Sequence, residues 1–492
     1  MRRFRALKGD PQPSYDAVII GAGIGGLVCA NLLAKDGLRV LLAEQHYMVG
    51  GYCSTFKRGG FTFDAGTHFY PLLGNAATIT GALLDQLGIP TRWIKMDPVD
   101  HFHFPDGTSF SVPADFDQYY AKLIAAFPGE AAAIDRFFAA ARQAYVSGLL
   151  YYFRGRDHEQ FRTLRRLTVR DVVDRHFRDD KLKLLLAADC AHWGSRPSRT
   201  SFVFDSMLRL SYFLGNYYPV GGSQAFADDL AARFESFGGD ILMRARVRRI
   251  TVANGAATGV EVETGVGSAR RTLHVRADRV ISNADQIQTL ERLVGAEHAD
   301  PDELRTLRAL RPTMPCYLVH LGLRDQPLDA LERSAGYHWR SWDTERVASD
   351  MFKIFVPTAF EPAMAPSGGQ IVVLQKVVEL DYERVDDWGA HKQAVECDLM
   401  QRLDAALPGI ESRAVVRLTA SARTAWRYTL NHHGAMLGWE MAPDQLGDQR
   451  PGIDSPIRNL YFAGHWTRPG GGITPVIVSA MQVAREISAG RP

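Results

Sequence analysis

A glycine turn set between an apolar strand and an apolar helix is the feature that most constrains this chain. Residues 16–20 read Asp-Ala-Val-Ile-Ile, a buried-strand pattern, and Gly21-Ala22-Gly23-Ile24-Gly25-Gly26 follows. Leu27 to Asp36 is helical in pattern and Gly37 stops it; Leu38 to Ala43 is a second apolar strand, ending at Glu44. G-x-G-x-x-G alone is a weak signal. The strand before it, the helix after it and the acid closing the next strand make it a βαβ unit that binds a dinucleotide. The first glycine permits the tight turn, the second lets backbone approach a pyrophosphate, and the third lets helix pack on strand. Backbone N–H groups and the helix dipole then hold the phosphates. Glu44 lies 18 residues after Gly26, where a carboxylate accepts hydrogen bonds from ribose hydroxyls and repels a 2′-phosphate. The run Ala17 to Ala34 approaches membrane-span length, but its glycines and Asn31 fit strand, turn and helix better.

Two further features separate FAD from NAD. Gly50-Gly51-Tyr52-Cys53-Ser54-Thr55 comes soon after Glu44, and Gly66-Thr67-His68 follows it. A second glycine turn so close to the first can hold the far end of a longer ligand. Ala463-Gly464-His465-Trp466-Thr467-Arg468-Pro469-Gly470-Gly471-Gly472-Ile473 opens the last helix of the chain. A helix N-terminus aimed at the flavin pyrimidine stabilises negative charge on the reduced ring. Alone, Gly470 to Gly472 reads as a loop with unusual dihedrals; with the N-terminal pattern it favours FAD.

The chain has 492 residues, long enough for two domains. Its net charge of +2 gives no argument for a nucleic-acid partner. Five dispersed cysteines without a C-x-x-C pair fit a reducing compartment and offer no zinc site. The segment Met1 to Ser14, with Arg2, Arg3, Arg5 and Lys8, lacks the apolar core of a signal peptide and reads as a frayed tail or a basic arm for anionic lipid. Residues 101–112 are a hairpin around Pro-Asp-Gly, and Phe116 to about Leu214 is mostly helical and aromatic. Gly221-Gly222-Ser223 precedes a helix from Gln224 to Phe237, followed by a strand from Ile241 to Ile250 and a hairpin over 257–276. The predicted fold class is α/β: a Rossmann-like FAD-binding domain from 14–75, 216–295 and 455–490, with a discontinuous mixed α+β substrate domain from 76–215 and 296–454.

At these residues the chain resembles the phytoene desaturase, carotenoid isomerase and retinol saturase group of the amine-oxidase-like flavoproteins. The resemblance rests on residues 18–74, Tyr218-Pro219-Val220-Gly221-Gly222 with the elements to Ile250, Ile281-Ser282-Asn283-Ala284-Asp285, and residues 460–487. It implies a cofactor set of Gly21, Gly23, Gly25, Gly26, Glu44, Gln45, Gly50, Gly51, Ser54, Thr67, His68, Val247, Asn283, Gly464, His465, Gly472 and Ile473. Val247 would meet the adenine through its backbone, Gly50, Gly51 and Ser54 the ribityl and pyrophosphate, and Thr67 and His68 the isoalloxazine. Relatives often carry an acid where His465 stands, which leaves that contact open.

The implied substrate is an apolar polyene, which offers no acidic proton and needs a tunnel of aromatic and aliphatic walls. Tyr212, Phe213, Tyr217 and Tyr218 are the first tunnel candidates; Phe69-Tyr70, Tyr145 and Tyr151-Tyr152-Phe153 are others, and each cluster can equally be core. His68 is the one catalytic candidate, as acid or base or as a hydrogen-bond partner of the ring. Arg423, Trp426 and Arg427 read as a domain-interface ion pair rather than cavity groups. His101 and His103 share a strand face without a third ligand, so no metal is expected. With no second G-x-G-x-x-G, electrons must pass to or from oxygen, a quinone, a soluble donor or the substrate itself. The expected setting is cytoplasmic, docked on a membrane surface. An amine oxidase and a non-catalytic isoprenoid carrier are the alternatives.

Overall fold

The computed structural model describes residues 4–265 and 267–490. Its first sheet has seven strands. Strand Ser14–Ile20 lies between Val40–Glu44 and Arg271–Ser282, all parallel; Asp240–Met243 continues one side and Leu460–Phe462 the other. Alternate residues of the first strand face opposite layers, as strand geometry requires. Ala17 and Ile19 pack toward Leu27, Leu230 and Ile477, whereas Val18 and Ile20 pack toward Val247, Val262 and Leu290. Every parallel strand ends at the same edge, so Gly21, Asn283 and Ala463, which follow strand termini, lie beside Glu44, which closes its own strand. In open α/β sheets that edge is where ligands bind.

The predicted strand Ile241 to Ile250 divides. Asp240–Met243 runs parallel to Val40–Glu44, while Ala245–Ala253 turns antiparallel to Ala256–Thr264. Arg244 makes the change of direction at φ 53°, and its N–H donates to the His46 carbonyl at 3.0 Å. The hairpin over 257–276 is therefore part of a three-stranded meander, whose last strand runs on to Ser282. The N-terminal segment is no free tail from Phe4 onward. Phe4 is buried in the core, and Leu7 N–H donates to the Ile241 carbonyl at 2.8 Å. Arg2 and Arg3 lie outside the described residues.

A second seven-stranded sheet draws on residues 100–112 and 316–420. Its register sets one row of side chains: Tyr337 stands opposite Lys353, Lys353 opposite Gln375, Gln375 opposite Leu318, and Leu318 opposite Ala420. Directly opposed residues share a face, and this row faces the first sheet's ligand-binding edge. Helix Trp388–Ala406 covers the other face through Leu399 and Leu403. The predicted helical region holds Ala131–Arg154 and Phe202–Phe213 packed together. Among the described residues no helix is long and apolar enough to cross a membrane.

Candidate cofactor and substrate cavity

One cavity of about 1030 Å³ runs from the strand edge of the first sheet to the inner face of the second. Its outer part is built by the glycine segments. Gly50 N–H donates to the Ala22 carbonyl at 2.7 Å, and Gly23 and Gly50 form a parallel bridge. Gly464 adopts φ +97°, and a Cβ there would stand 2.7 Å from Asn283 Oδ1. Gly26 faces inward instead: a Cβ on it would come within 2.1 Å of the Gly21 carbonyl oxygen. It therefore supplies close packing and does not line the cavity, whereas Gly21, Gly23 and Gly25 do.

Asn283 is the hub of these loops. Its amide lies 3.3 Å from the Gly21 carbonyl and against Gly23, Gly25 and Gly464. Glu44 ties the turn to the next strand: its carboxylate accepts from Ala22 N–H and from His46 N–H, both at 2.7 Å. Burial lifts its pKa, and the backbone N–H bonds oppose that rise. Val247 and Gln45 line the same end, and Gln45 also reaches the Tyr428 carbonyl at 3.4 Å. Gly51, Ser54 and Thr67 lie along the middle; the Ser54 hydroxyl donates to the Gly51 carbonyl at 2.8 Å.

Two helices begin on this cavity. Ile24–Lys35 starts after Gly23, Ile473–Ala489 starts after Gly472, and neither has a side-chain cap. First-turn N–H groups left without an intrahelical partner suit phosphate or an anionic ring. Thr474 Oγ1 donates to the Pro71 carbonyl at 3.1 Å, fixing the second helix start against the segment that carries His68. A long anionic cofactor with a ring at one end and phosphates in the middle fits this pair of open helix starts.

Two of the histidines that line the cavity, His465 and His68, are held in the neutral form by burial. Burial, then Arg450, holds His465 down at about 3. Asn431 Oδ1 accepts from Trp466 Nε1–H at 3.0 Å and faces His465 Nε2 at 3.3 Å. That assigns the His465 hydrogen to Nε2 and leaves Nδ1 as an acceptor. His68 is held far below its ordinary value by burial first, with His320, Lys353 and His192 adding to it. The Gln375 amide nitrogen donates to His68 Nδ1, so the remaining hydrogen sits on Nε2, which is buried without a partner among the described residues.

The four first tunnel candidates separate. Tyr212 lines the cavity. Phe213, one step around the helix, packs against Phe116 and Tyr119. Tyr217 pairs in a small strand opposite Lys95. Tyr218 is fully buried and its hydroxyl donates to the Asp64 carboxylate. Of the other aromatics, Phe69 lines the cavity; Tyr151 and Tyr152 belong to the helical core and Phe153 is exposed. Arg423 stacks over Trp426 at 4.6 Å in place of the expected ion pair. His101 bonds Ser111 and His103 bonds the Ala335 carbonyl, both at 2.9 Å, so neither imidazole is a bare surface group.

Sequence reasoning missed the inner polar groups Lys353, Tyr337, His192 and Gln375. They lie in strands or a short helical turn without a motif, and only sheet register brings them together.

The family model described as flavin containing amine oxidoreductase matches residues 24–488. The chain is 26% identical to prolycopene isomerase 2 of an Oncidium hybrid cultivar, over 98% of this chain and 85% of that protein. It is 28% identical to a lycopene-forming phytoene desaturase of Paracoccus sp., over 95% and 96%. Among solved structures, an oxidoreductase from Methanosarcina mazei superposes with a TM-score of 0.68 at 18% identity, covering 95% of this chain and 99% of the other.

Proposed function

The chain belongs to the flavin-containing amine oxidoreductase family and its cofactor is FAD, and from that premise we propose that it is a desaturase, saturase or isomerase of an apolar polyene of carotenoid or retinoid type. The observation that carries this reading is the continuity of the cavity. It passes from the two uncapped helix starts, past His68, into walls of Phe69, Trp193, Leu208, Tyr212, Met351 and Met436. Full-length likeness to a prolycopene isomerase and a phytoene desaturase supports the substrate class.

Bound FAD supplies a site, ring N5, that takes or gives hydride. The chain supplies the rest. Residues 14–75, 216–295 and 455–490 would hold the cofactor: Glu44 would receive the ribose hydroxyls, the glycine turns would admit the pyrophosphate, and the helix start at Ile473 would meet the ring. His68, with its hydrogen on Nε2, would stand beside the ring. Its low basicity suits a hydrogen-bond donor and not a proton carrier at neutral pH. Aromatic and aliphatic walls exclude water and orient the polyene. For desaturation the electrons would leave to oxygen or a quinone, for saturation they would come from a soluble donor, and in a redox-neutral isomerisation they would return to the substrate itself.

Docking on a membrane surface belongs to the same proposal. Val146, Leu150 and Phe153 are exposed on one face of helix Ala131–Arg154, beside exposed Arg142, Arg154 and Arg156. Apolar side chains at this spacing flanked by cations suit an anionic bilayer surface. Expression in a carotenoid-accumulating host followed by pigment analysis tests the reaction. A shift in the number or geometry of conjugated double bonds is expected; an unchanged pigment profile with flavin-loaded protein present rejects the polyene reading.

A further inference from the structure

Beyond His68 the cavity does not end in hydrocarbon walls. Its inner wall carries Lys353, whose side chain is 3% exposed, and whose Nζ donates to Asp100 at 2.5 Å. The same ammonium lies 4.0 Å from the Phe69 ring and 4.2 Å from the Tyr337 ring. Tyr337 OH is 2.7 Å from His192 Nδ1, and the His192 and Phe69 rings are 4.9 Å apart. Lys353, Tyr337 and His192 are thus gathered around one phenyl ring, and all three line the cavity.

An apolar end would be easier to build from leucine. A buried ammonium costs solvation even when paired, and the cross-strand row Tyr337–Lys353–Gln375 places it at the ligand's side of the sheet. Resting on the polyene reading above, we propose that the substrate's apolar chain ends in a neutral oxygen acceptor, a carbonyl or a hydroxyl, received by Lys353 and the Tyr337–His192 pair.

Donor accounting supports a ligand oxygen. Among the described residues Asp100 is the hydrogen-bond acceptor on Lys353 Nζ; an ammonium has three donors, and its other neighbours, the Phe69 and Tyr337 rings, are weak acceptors that a ligand oxygen can outcompete. Neutral His192 carries one N–H, on Nδ1 or Nε2, and Tyr337 one O–H. Whichever of them donates in their mutual bond, the other hydrogen is free. Charge accounting disfavours a carboxylate. Lys353 and Arg209 stand against Asp100, Asp205 and Asp189, with Arg209 at 3.1 Å from Asp205 and 3.5 Å from Asp189. The group is already negative by one when all are ionised, and Asp189 is lifted to about 6 by its burial. A further buried anion is disfavoured; a neutral oxygen is not.

Binding to the FAD-loaded protein tests this, read by tryptophan quenching and by perturbation of the flavin band. Four probes share one C20 polyene skeleton: the aldehyde retinal, its alcohol, its carboxylate and the parent hydrocarbon. Aldehyde or alcohol should bind at least about tenfold tighter than hydrocarbon or carboxylate, as expected where a site's polar groups would otherwise go unpaired. The double variant Lys353→Met with Asp100→Asn removes the ion pair together, so no lone charge is left buried; Tyr337→Phe is the milder companion. Both should keep flavin stoichiometry and lose most of the preference. Hydrocarbon binding as tight as the aldehyde, or a preference intact in both variants, overturns the oxygen anchor while the polyene reading stands. If no polyene binds but a saturated long-chain aldehyde does, the anchor stands and the polyene reading fails. Binding of none of these compounds overturns both.

Discussion

Gly23 and Glu44 make the sharpest demands on single atoms. A Cβ at Gly23 would sit 3.0 Å from the Asn283 amide nitrogen, the group that spaces the three glycine loops. Gly23→Leu must displace that amide or intrude on the phosphate path, and purified protein should be colourless; wild-type flavin stoichiometry would reject the assignment. Glu44 is anchored by two backbone N–H groups, so its loss acts twice. Glu44→Ala would remove the proposed ribose acceptor and leave two buried donors unpaired. Flavin affinity should fall by about 1–3 kcal/mol, the range for hydrogen bonds to a charged group, and apoprotein stability should fall as well. Titration of apoprotein with FAD, beside a thermal melt without it, separates the two effects. An unchanged dissociation constant with a lowered melt would leave Glu44 a purely structural role.

Asp64 shows how elements are joined around the cavity. It ends strand Phe61–Asp64, and its carboxylate accepts from Ser223 N–H at 2.9 Å at the start of helix Ser223–Ser236. It also takes the Tyr218 hydroxyl, and its own carbonyl lies 2.9 Å from His320 Nε2 in the second sheet. Tyr218→Phe leaves that buried carboxylate short of a donor and should cost about 1–3 kcal/mol of stability. Flavin content should be unchanged, since Tyr218 does not reach the cavity; flavin loss in Tyr218→Phe would instead place it near the ring. On helix Ala131–Arg154, Phe153→Ser should weaken co-sedimentation with anionic vesicles without altering flavin content. Equal sedimentation of both proteins would remove this face from membrane docking. The βαβ unit and the closing helix were legible because their glycines are demanded locally, within a turn or two. Tyr218 was misplaced because aromatic clustering in sequence does not distinguish a cavity wall from a packed core. Lys353, Tyr337 and Gln375 were illegible for a different reason: each is an ordinary strand residue until the register of three successive strands sets them in one row.

The molecule as a whole buries titratable groups of both kinds around one cavity, and their balance sets its response to pH. His68, His192, His320 and His465 all line the cavity. Burial is the leading cause that lowers each, to about 4 for His320 and about 3 for His465. In the unfolded chain the same imidazoles protonate near about pH 6.5. Their contribution to stability is therefore complete above that value and is lost as pH falls toward the folded values, because the unfolded chain takes up protons first. Asp189 and Asp285 run the opposite way. Burial lifts both to about 6, so the folded chain protonates them first and their penalty is relieved on acidification. Burial lowers further imidazoles, among them His338 and His432 to about 4, and raises further carboxyls, among them Glu44, Asp64 and Asp205. Imidazoles of the unfolded chain take up their protons between about pH 7 and 5 whereas its carboxyls do so lower, so the thermal midpoint should decline from pH 7 to about pH 5. Differential scanning calorimetry across that interval checks the sign. A midpoint that holds level or rises, together with a histidine titration by NMR that shows protonation of the cavity imidazoles at about pH 6.5, would mean that they stay hydrated and charged in the folded protein. The neutral donor at His68 and the neutral acceptor at His465 would then both have to be abandoned.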